Sequence, residues 1–386
     1  MGQEPGGQEI CHIQILELLR GRDCRLGGAA HRGCGRDLSL LILPGLPPPS
    51  RHLLGRPTRT AFFLTVANPL LEGEMKKIPD LTVILSELDT LIRPDEERLV
   101  LHFARQAEDA GYYGVNIIDH IVMGKGAARF GLPANPRAFR WVGNQRPNQH
   151  MPSQIVMMSA IAAVTSRIRL MATATLTPLR HPLLNAKQWA TLDLLSGGRL
   201  TITPIGGWQD EEYDAMGIPF AERGSRLDEQ LEIMCLAWSK TPISYSGQHY
   251  RFENVYVMPK PAQPGGPEMI IGGDSLSQKV VDRIVRYGAG YTLAGTPDRE
   301  GLERLRRCMV AAGRKPEELK TSGLIFPCFP SVNEPADIPR SLAQSMPSLL
   351  EAGVDVITIK PSQYIDDPGQ MPSLLKEFQQ RIASYY

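Results

Sequence analysis

The chain has 386 residues, 42% of them hydrophobic, and its 42 Lys and Arg against 41 Asp and Glu leave a formal net charge of +1. That balance gives no reason to expect a nucleic acid or an anionic membrane as partner, and no run approaches the roughly 18 apolar residues of a membrane-spanning helix. Six cysteines in a chain of this length do not make a disulfide scaffold, which fits a reducing, cytoplasmic setting.

Residues 1–74 stand apart from the rest. They carry GQEPGGQ (2–8), PGLPPPS (44–50) and three of the cysteines, with no sustained apolar period. Two readings stay open: an extension without fixed structure, or a reading frame that begins upstream of a true start at Met75. Cys11, Cys24, His31 and Cys34 are poorly spaced for a closed zinc site, so no metal is expected. The apolar run 61–71 lies too far along the chain for a signal peptide.

From Met75 onward, strands and helices alternate. Strands are predicted at 81–86, 114–119, 168–174, 200–205, 268–272, 290–294, 321–328 and 355–360. Helical patterns follow at 95–110, 153–165, 183–195, 223–238, 275–287, 298–311, 338–352 and 371–384. Eight strand-helix repeats predict an α/β chain folded as a (β/α)8 barrel over 75–386. An open doubly wound sheet is disfavoured because no GxGxxG follows the first strand. Insertions are expected after strand 2 (120–152) and after helix 4 (240–267), the latter read as a β-hairpin from ISYSGQHYRFENVYV. In such a barrel the active site lies at the C-terminal ends of the strands.

At those ends sit residues with chemical meaning. Asp119-His120 closes the second strand, and an imidazole near neutral pH donates or accepts protons. Thr173-Ala174-Thr175 ends the third strand with small, hydroxylated side chains that let a flat ring approach the backbone. Gly206-Gly207 ends the fourth strand and Gly272-Gly273-Asp274-Ser275 the fifth, with Ser277 nearby. Glycines there allow backbone N–H groups to converge on an anion at a helix start. Arg223 and Arg226 suit either a phosphate or a solvated helix start. The loop 121–152 holds Lys125, Arg129, Arg137, Arg140, Arg146 and His150 with no acid, and Trp141 lies among them. It reads either as a cationic lid for an anionic substrate or cofactor tail, or as a flap whose arginines pair with carboxylates elsewhere. Arg180 and His181 are placed to face the same cavity or to support a helix start. Lys360, at the last strand end, is a thin signal for Schiff-base chemistry.

The joined stretches RHPLLNAKQWATLDLLSGGRL (180–200), GGWQDEEYDAMGIPFAERGSRLDEQLEIMCLAW (206–238), HYRFENVYVMPKPAQ (249–263) and IIGGDSLSQKVVDRIVRYGAGY (270–291) resemble the bacterial-luciferase-like family of flavin- and deazaflavin-dependent oxidoreductases. The resemblance covers about four-fifths of the chain. It implies Asp119-His120 as the active-site pair and a non-proline cis peptide joining Ala174 to Thr175 beneath the cofactor. It also implies the strand-end glycines, Ser275 and Ser277 as the phosphate site. The luciferases carry an arginine where Gly206 stands here. Implied cofactors are coenzyme F-420, for hydride transfer with His120 moving a proton, or reduced FMN, for oxygenation with a separate flavin reductase. The glycine pair without arginine and the cationic loop tilt the reading toward F-420. A homodimer is the expected assembly, and a non-catalytic flavin-binding barrel is the reading from another class.

Overall fold

The computed structural model describes residues 77–138, 142–293 and 299–386. By internal contacts the chain divides into Met1–Pro69 and Leu70–Tyr386, and all the described residues belong to the second unit. Met75, Cys11, Cys24, His31 and Cys34 lie outside the described residues, as do Arg140 and Trp141.

The strands are β1 (Asp80–Ile84), β2 (Gly114–Ile117), β3 (Arg169–Leu176), β4 (Leu200–Ile205), β7 (Glu268–Gly273), β8 (Gly290–Leu293), β9 (Lys320–Leu324) and β10 (Val356–Ile359), with β5 (Ile243–Ser246) and β6 (Arg251–Val255) between β4 and β7. The first eight close a parallel barrel in the order β1-β10-β9-β8-β7-β4-β3-β2, while β5 and β6 form the separate antiparallel hairpin. The connecting helices are α1 (Arg98–Asp109), α2 (Gln154–Val164), α3 (Pro182–Ser196), α4 (Asp210–Ala215), α5 (Arg223–Ser239), α6 (Gln278–Tyr287), α7 (Arg299–Ala311), α8 (Ile338–Ala352) and α9 (Met371–Ala383). The fold is the expected (β/α)8 barrel.

Strand parity explains where the core lies. Side chains alternate along a strand, and one set (Val83, Val115, Leu170, Ile202, Ile271, Ile357) is buried among the helices in one apolar cluster. The alternate set faces the barrel axis and is largely polar: Thr82, Asn116, Thr201, Thr203 and Thr358 are buried there. Hydrophobic stabilisation of this barrel therefore resides in the shell between strands and helices, at roughly 25 cal/mol per Å² of apolar surface removed from water.

Local signals set the element ends. Pro182 occupies the first turn of α3, and Gly197 ends it in the left-handed conformation at φ +67°, its N–H returning to Asp193 and Leu194. One predicted boundary moved and one element was not anticipated. The strand expected over 321–328 stops at Leu324, because the N–H groups of Phe326 and Cys328 go to the Ser345 and Ser341 hydroxyls of α8. The helix α4 was not anticipated; its six residues, DEEYDA, are too short to show a period.

The insertion after β2 is tied to the loop after β4. Gly124 N–H donates to Gln209 Oε1 at 2.9 Å and Gly126 N–H to Glu211 Oε2 at 2.7 Å. A Cβ at Gly124 would come within 2.5 Å of Glu211 Cβ, so only glycine permits that approach. Asn135 Nδ2 donates to the carbonyls of Ser331 and Glu334, anchoring the far side of the loop beyond β9.

Candidate active site

A cavity of about 750 Å³ opens at the C-terminal ends of β3, β4 and β7. Thr173, Ala174, Gly206, Gly207, Gly272, Gly273, Asp274, Ser275 and Ser277 all line it, as do Trp208 and Arg223. Thr175 does not. It is buried, with its hydroxyl donating to Gln154 Oε1 at 2.8 Å.

A non-proline cis peptide is present, but it joins Thr173 to Ala174 rather than Ala174 to Thr175. The neighbouring ladder accounts for a discontinuity at this point. Thr173 pairs with Thr203 and Thr175 with Pro204, so one residue of β3 is extra between them. Pro204 has no N–H to offer β3, and ladders characteristically slip at such positions. Ala174 is the bulged residue, and its carbonyl accepts from Gln154 Nε2 at 3.1 Å. The same amide donates to Ile117 O at 2.6 Å, so Gln154 ties the shelf to β2. Nothing in the sequence marked Gln154, because a polar residue in a helix's first turn is ordinary.

The glycine pair after β4 is positioned by Tyr213, whose hydroxyl donates to the Gly206 carbonyl. Gly207 adopts φ +73°, and a Cβ there would meet Leu176 Cδ2 at 2.5 Å. A Cβ at Gly206 would lie 3.4 Å from Arg223 Cγ. The stem of Arg223 thus fills the space beside Gly206, and its guanidinium stacks on Phe220 at 3.8 Å. Lys279 and Arg283 complete a basic wall; Arg283 is also paired with Asp228 at 2.6 Å. Arg226 is instead engaged by Glu222 at 2.8 Å. Ser277 is the N-cap of α6 and makes no side-chain capping bond, leaving first-turn N–H groups of a ten-residue helix uncapped beside this wall. Small backbone, uncapped amides and cations form a cradle that suits a phosphate, so the residues present fit a phosphate-bearing flavin-type cofactor.

The Asp119-His120 pair divides into two unrelated jobs. Asp119 faces Arg180, with two bonds of 2.7 and 2.8 Å, and accepts the Leu176 N–H at 3.0 Å. It is a buried structural ion pair. His120 is held by Glu212, whose Oε2 lies 2.9 Å from Nδ1, while Oε1 accepts the Ile121 N–H at 2.6 Å. An ionised carboxylate offers only acceptors, so Nδ1 carries a proton, and in the neutral ring Nε2 is the acceptor. His120 does not itself line the cavity. Its ring meets Trp208 edge-on, centroids 6.1 Å apart, and Trp208 forms the wall. Glu212 was invisible in the sequence because DEE at a helix start looks like ordinary N-terminal charge.

Two of the loop arginines meet carboxylates. Arg137 pairs with Asp366 at 2.6 Å and Arg146 with Asp89 at 3.6 Å. Arg129 lies over the Phe130 ring at 5.1 Å and the Trp208 ring at 5.8 Å, which brings it to the back of the cavity wall. Of the two readings of this loop, the flap whose arginines pair with distant carboxylates describes Arg137 and Arg146. The carboxylates that neutralise them are distant in sequence, and only folding brings them near. His181 packs edge-on against Tyr250, and burial pushes its pKa down. The Schiff-base reading of Lys360 finds no support at the cavity, which Lys360 does not line; its amine donates to Glu87 at 2.7 Å, with both side chains buried.

A closed parallel barrel with its cavity at the C-terminal ends of the strands is the (β/α)8 architecture. The chain belongs to the luciferase-like monooxygenase family, whose model matches residues 83–337. It is 36% identical over 162 residues to an uncharacterized protein of Mycobacterium tuberculosis, covering 41% of this chain and 56% of that one. It is 34% identical over 131 residues to the FMNH(2)-dependent dimethylsulfone monooxygenase of Pseudomonas putida, covering 33% and 35%. The chain thus spans about half the length, or less, of these curated relatives. Among solved structures, monooxygenase RslO1 from Streptomyces bottropensis superposes with a TM-score of 0.61 at 18% identity, covering 80% and 99% of the two chains. An F420-dependent secondary alcohol dehydrogenase gives 0.56 at 14% identity, covering 78% and 98%. These last two likenesses concern the fold. No helix among the described residues is long and apolar enough to cross a membrane, and no group of metal-ligating side chains occurs among them.

Proposed function

We propose that the chain is an F-420-dependent oxidoreductase, moving a hydride between the deazaflavin and a small organic substrate. The observation that carries this reading is the buried His120–Glu212 pair set directly behind the Trp208 wall of a cofactor-sized cavity. Hydride transfer at a hydroxyl-bearing carbon also moves a proton at the oxygen, which is work for an imidazole of fixed tautomer. The cofactor supplies the hydride chemistry when bound. The chain supplies the Thr173–Ala174 shelf, the glycine cradle with Ser275 and Ser277, and His120 as an acid–base group that reaches the cavity once Trp208 swings aside. Arg129 and Arg223 serve as the cations nearest a cofactor tail.

A second reading, a two-component FMNH2-dependent monooxygenase served by a separate flavin reductase, is favoured by the identity with the dimethylsulfone enzyme. Anaerobic titration of the full chain with F-420, FMN and reduced FMN, followed by fluorescence, separates the two. Tight F-420 binding with weak FMN binding is expected. Preference for reduced FMN would replace the first reading by the second, binding without any turnover would leave a flavin-binding barrel, and binding of none would sink both enzyme readings.

We also infer a homodimer. Helix α2 is apolar nearly all round, a composition that surface helices avoid unless covered. Its Val156 is 67% exposed, and Leu195 on neighbouring α3 is also 67% exposed. Sedimentation at micromolar concentration should give twice the chain mass, with Val156→Glu shifting it to the monomer; a monomeric wild type would refute the inference.

A further inference from the structure

The interior of a (β/α)8 barrel is ordinarily filled by layers of bulky branched side chains. Here the lining mixes Ile84, Met171, Ile270, Leu324 and Val356 with small hydroxylated side chains, and the hydroxyls pair with one another. Thr82 and Thr358 share a hydrogen bond of 2.8 Å, Thr173 and Thr203 one of 3.2 Å, and Ser322 donates to Thr292 at 2.7 Å. Paired hydroxyls retain lone pairs and offer water several partners, as a dry apolar void does not.

The cavity does not stop at the cofactor shelf. From Gly207 and Trp208 it continues past Thr203, Thr292 and Ser322 to Tyr113, Glu268 and Lys320. Glu268 and Lys320 are the first residues of β7 and β9, whereas Gly273 is the last of β7. The cavity therefore runs the length of a six-residue strand, roughly 17 Å at about 3.3 Å per residue step. It ends on an ion cluster: Lys320 Nζ lies 2.7 Å from Glu268 Oε1, and Arg169 Nη2 3.2 Å from Glu268 Oε2. The Lys320 side chain is 43% exposed and that of Glu268 17%, so the cluster touches both solvent and lumen. Burial acts to raise the Glu268 pKa, but the hydrogen bond and charge of Lys320, with Arg169 and Thr201 behind, outweigh it and hold the carboxyl below its ordinary range. The pair is then intact at neutral pH.

We propose that the lumen is a water-filled passage with a second entrance at the N-terminal face of the barrel, gated by the Glu268–Lys320 pair. It admits water and small neutral polar molecules to the underside of the Thr173–Ala174 shelf. The proposal is independent of which cofactor the upper mouth holds.

Substituted-cysteine labelling tests it on the full chain. Thr292→Cys places a thiol partway along the lumen, and Ser322→Cys places one on the adjacent strand as a second reporter. Methyl methanethiosulfonate is small and neutral, and peptide mass spectrometry reads its rate of attachment at the new position. The native Cys235, its thiol pushed up to about 11 by burial, serves as an internal slow reference. Both reporters are expected to label faster than Cys235. Adding Glu268→Gln, which keeps the volume and removes the charge, is expected to speed labelling about tenfold. Failure of both reporters to label in protein with a cooperative thermal transition would overturn the passage. Equal rates with and without Glu268→Gln would overturn the gate at the N-terminal face.

Discussion

Replacing His120 by alanine is expected to lower kcat by about 10²- to 10⁴-fold, the usual range for loss of an acid–base group. Cofactor affinity should stay within a few-fold, because the cradle lies on β3, β4, β7 and α6, while His120 sits behind Trp208. Glu212→Gln is the sharper version. The glutamine Oε1 can still accept the Ile121 N–H, so the loop retains that bond. Its amide nitrogen would then face Nδ1 as a donor, forcing the imidazole proton onto Nε2. The tautomer is inverted with little other change. We expect kcat to fall about tenfold or more with KM little altered, and the nitrogen-15 spectrum of His120 to report the exchanged tautomer. Wild-type turnover in His120→Ala would remove the imidazole from the mechanism. An unchanged spectrum in Glu212→Gln would remove Glu212 as its positioning residue.

Asp119→Ala is expected to act on stability. Its carboxylate is 1% exposed and holds the 19%-exposed Arg180 guanidinium together with the Leu176 N–H. Removing one partner of a buried ion pair strands the other, at a typical cost of about 3–5 kcal/mol. Urea unfolding should show the midpoint falling by that equivalent, with the slope unchanged. A loss under about 1 kcal/mol, accompanied by lost turnover in folded protein, would return Asp119 to the chemistry. The two adjacent residues thus predict opposite phenotypes, one in kcat and one in stability.

The strand-helix repeat was legible because period-2 and period-3.6 patterns are local properties of the chain. The eight barrel strands and eight of the nine helices among the described residues appear where that pattern put them, within a few residues. The strand-end glycines were equally legible, since their meaning follows from position in the repeat. The cis peptide joins Thr173 to Ala174, one residue before the expected bond, and no sequence pattern marks which of two neighbouring bonds is cis.

Charge pairing was the least legible feature. His120 meets Glu212 across 92 positions, Arg137 meets Asp366 across 229, and Lys360 meets Glu87 across 273. No spacing rule reaches that far, so none of these partners could be named from the chain. The amino-acid sequence by itself determined the barrel and the address of the cavity, because those follow from local periodicity. Which titratable groups are available for chemistry was decided only by the tertiary structure. An ionisable side chain's role is set by the partner within about 4 Å, and closing the barrel is what chooses that partner.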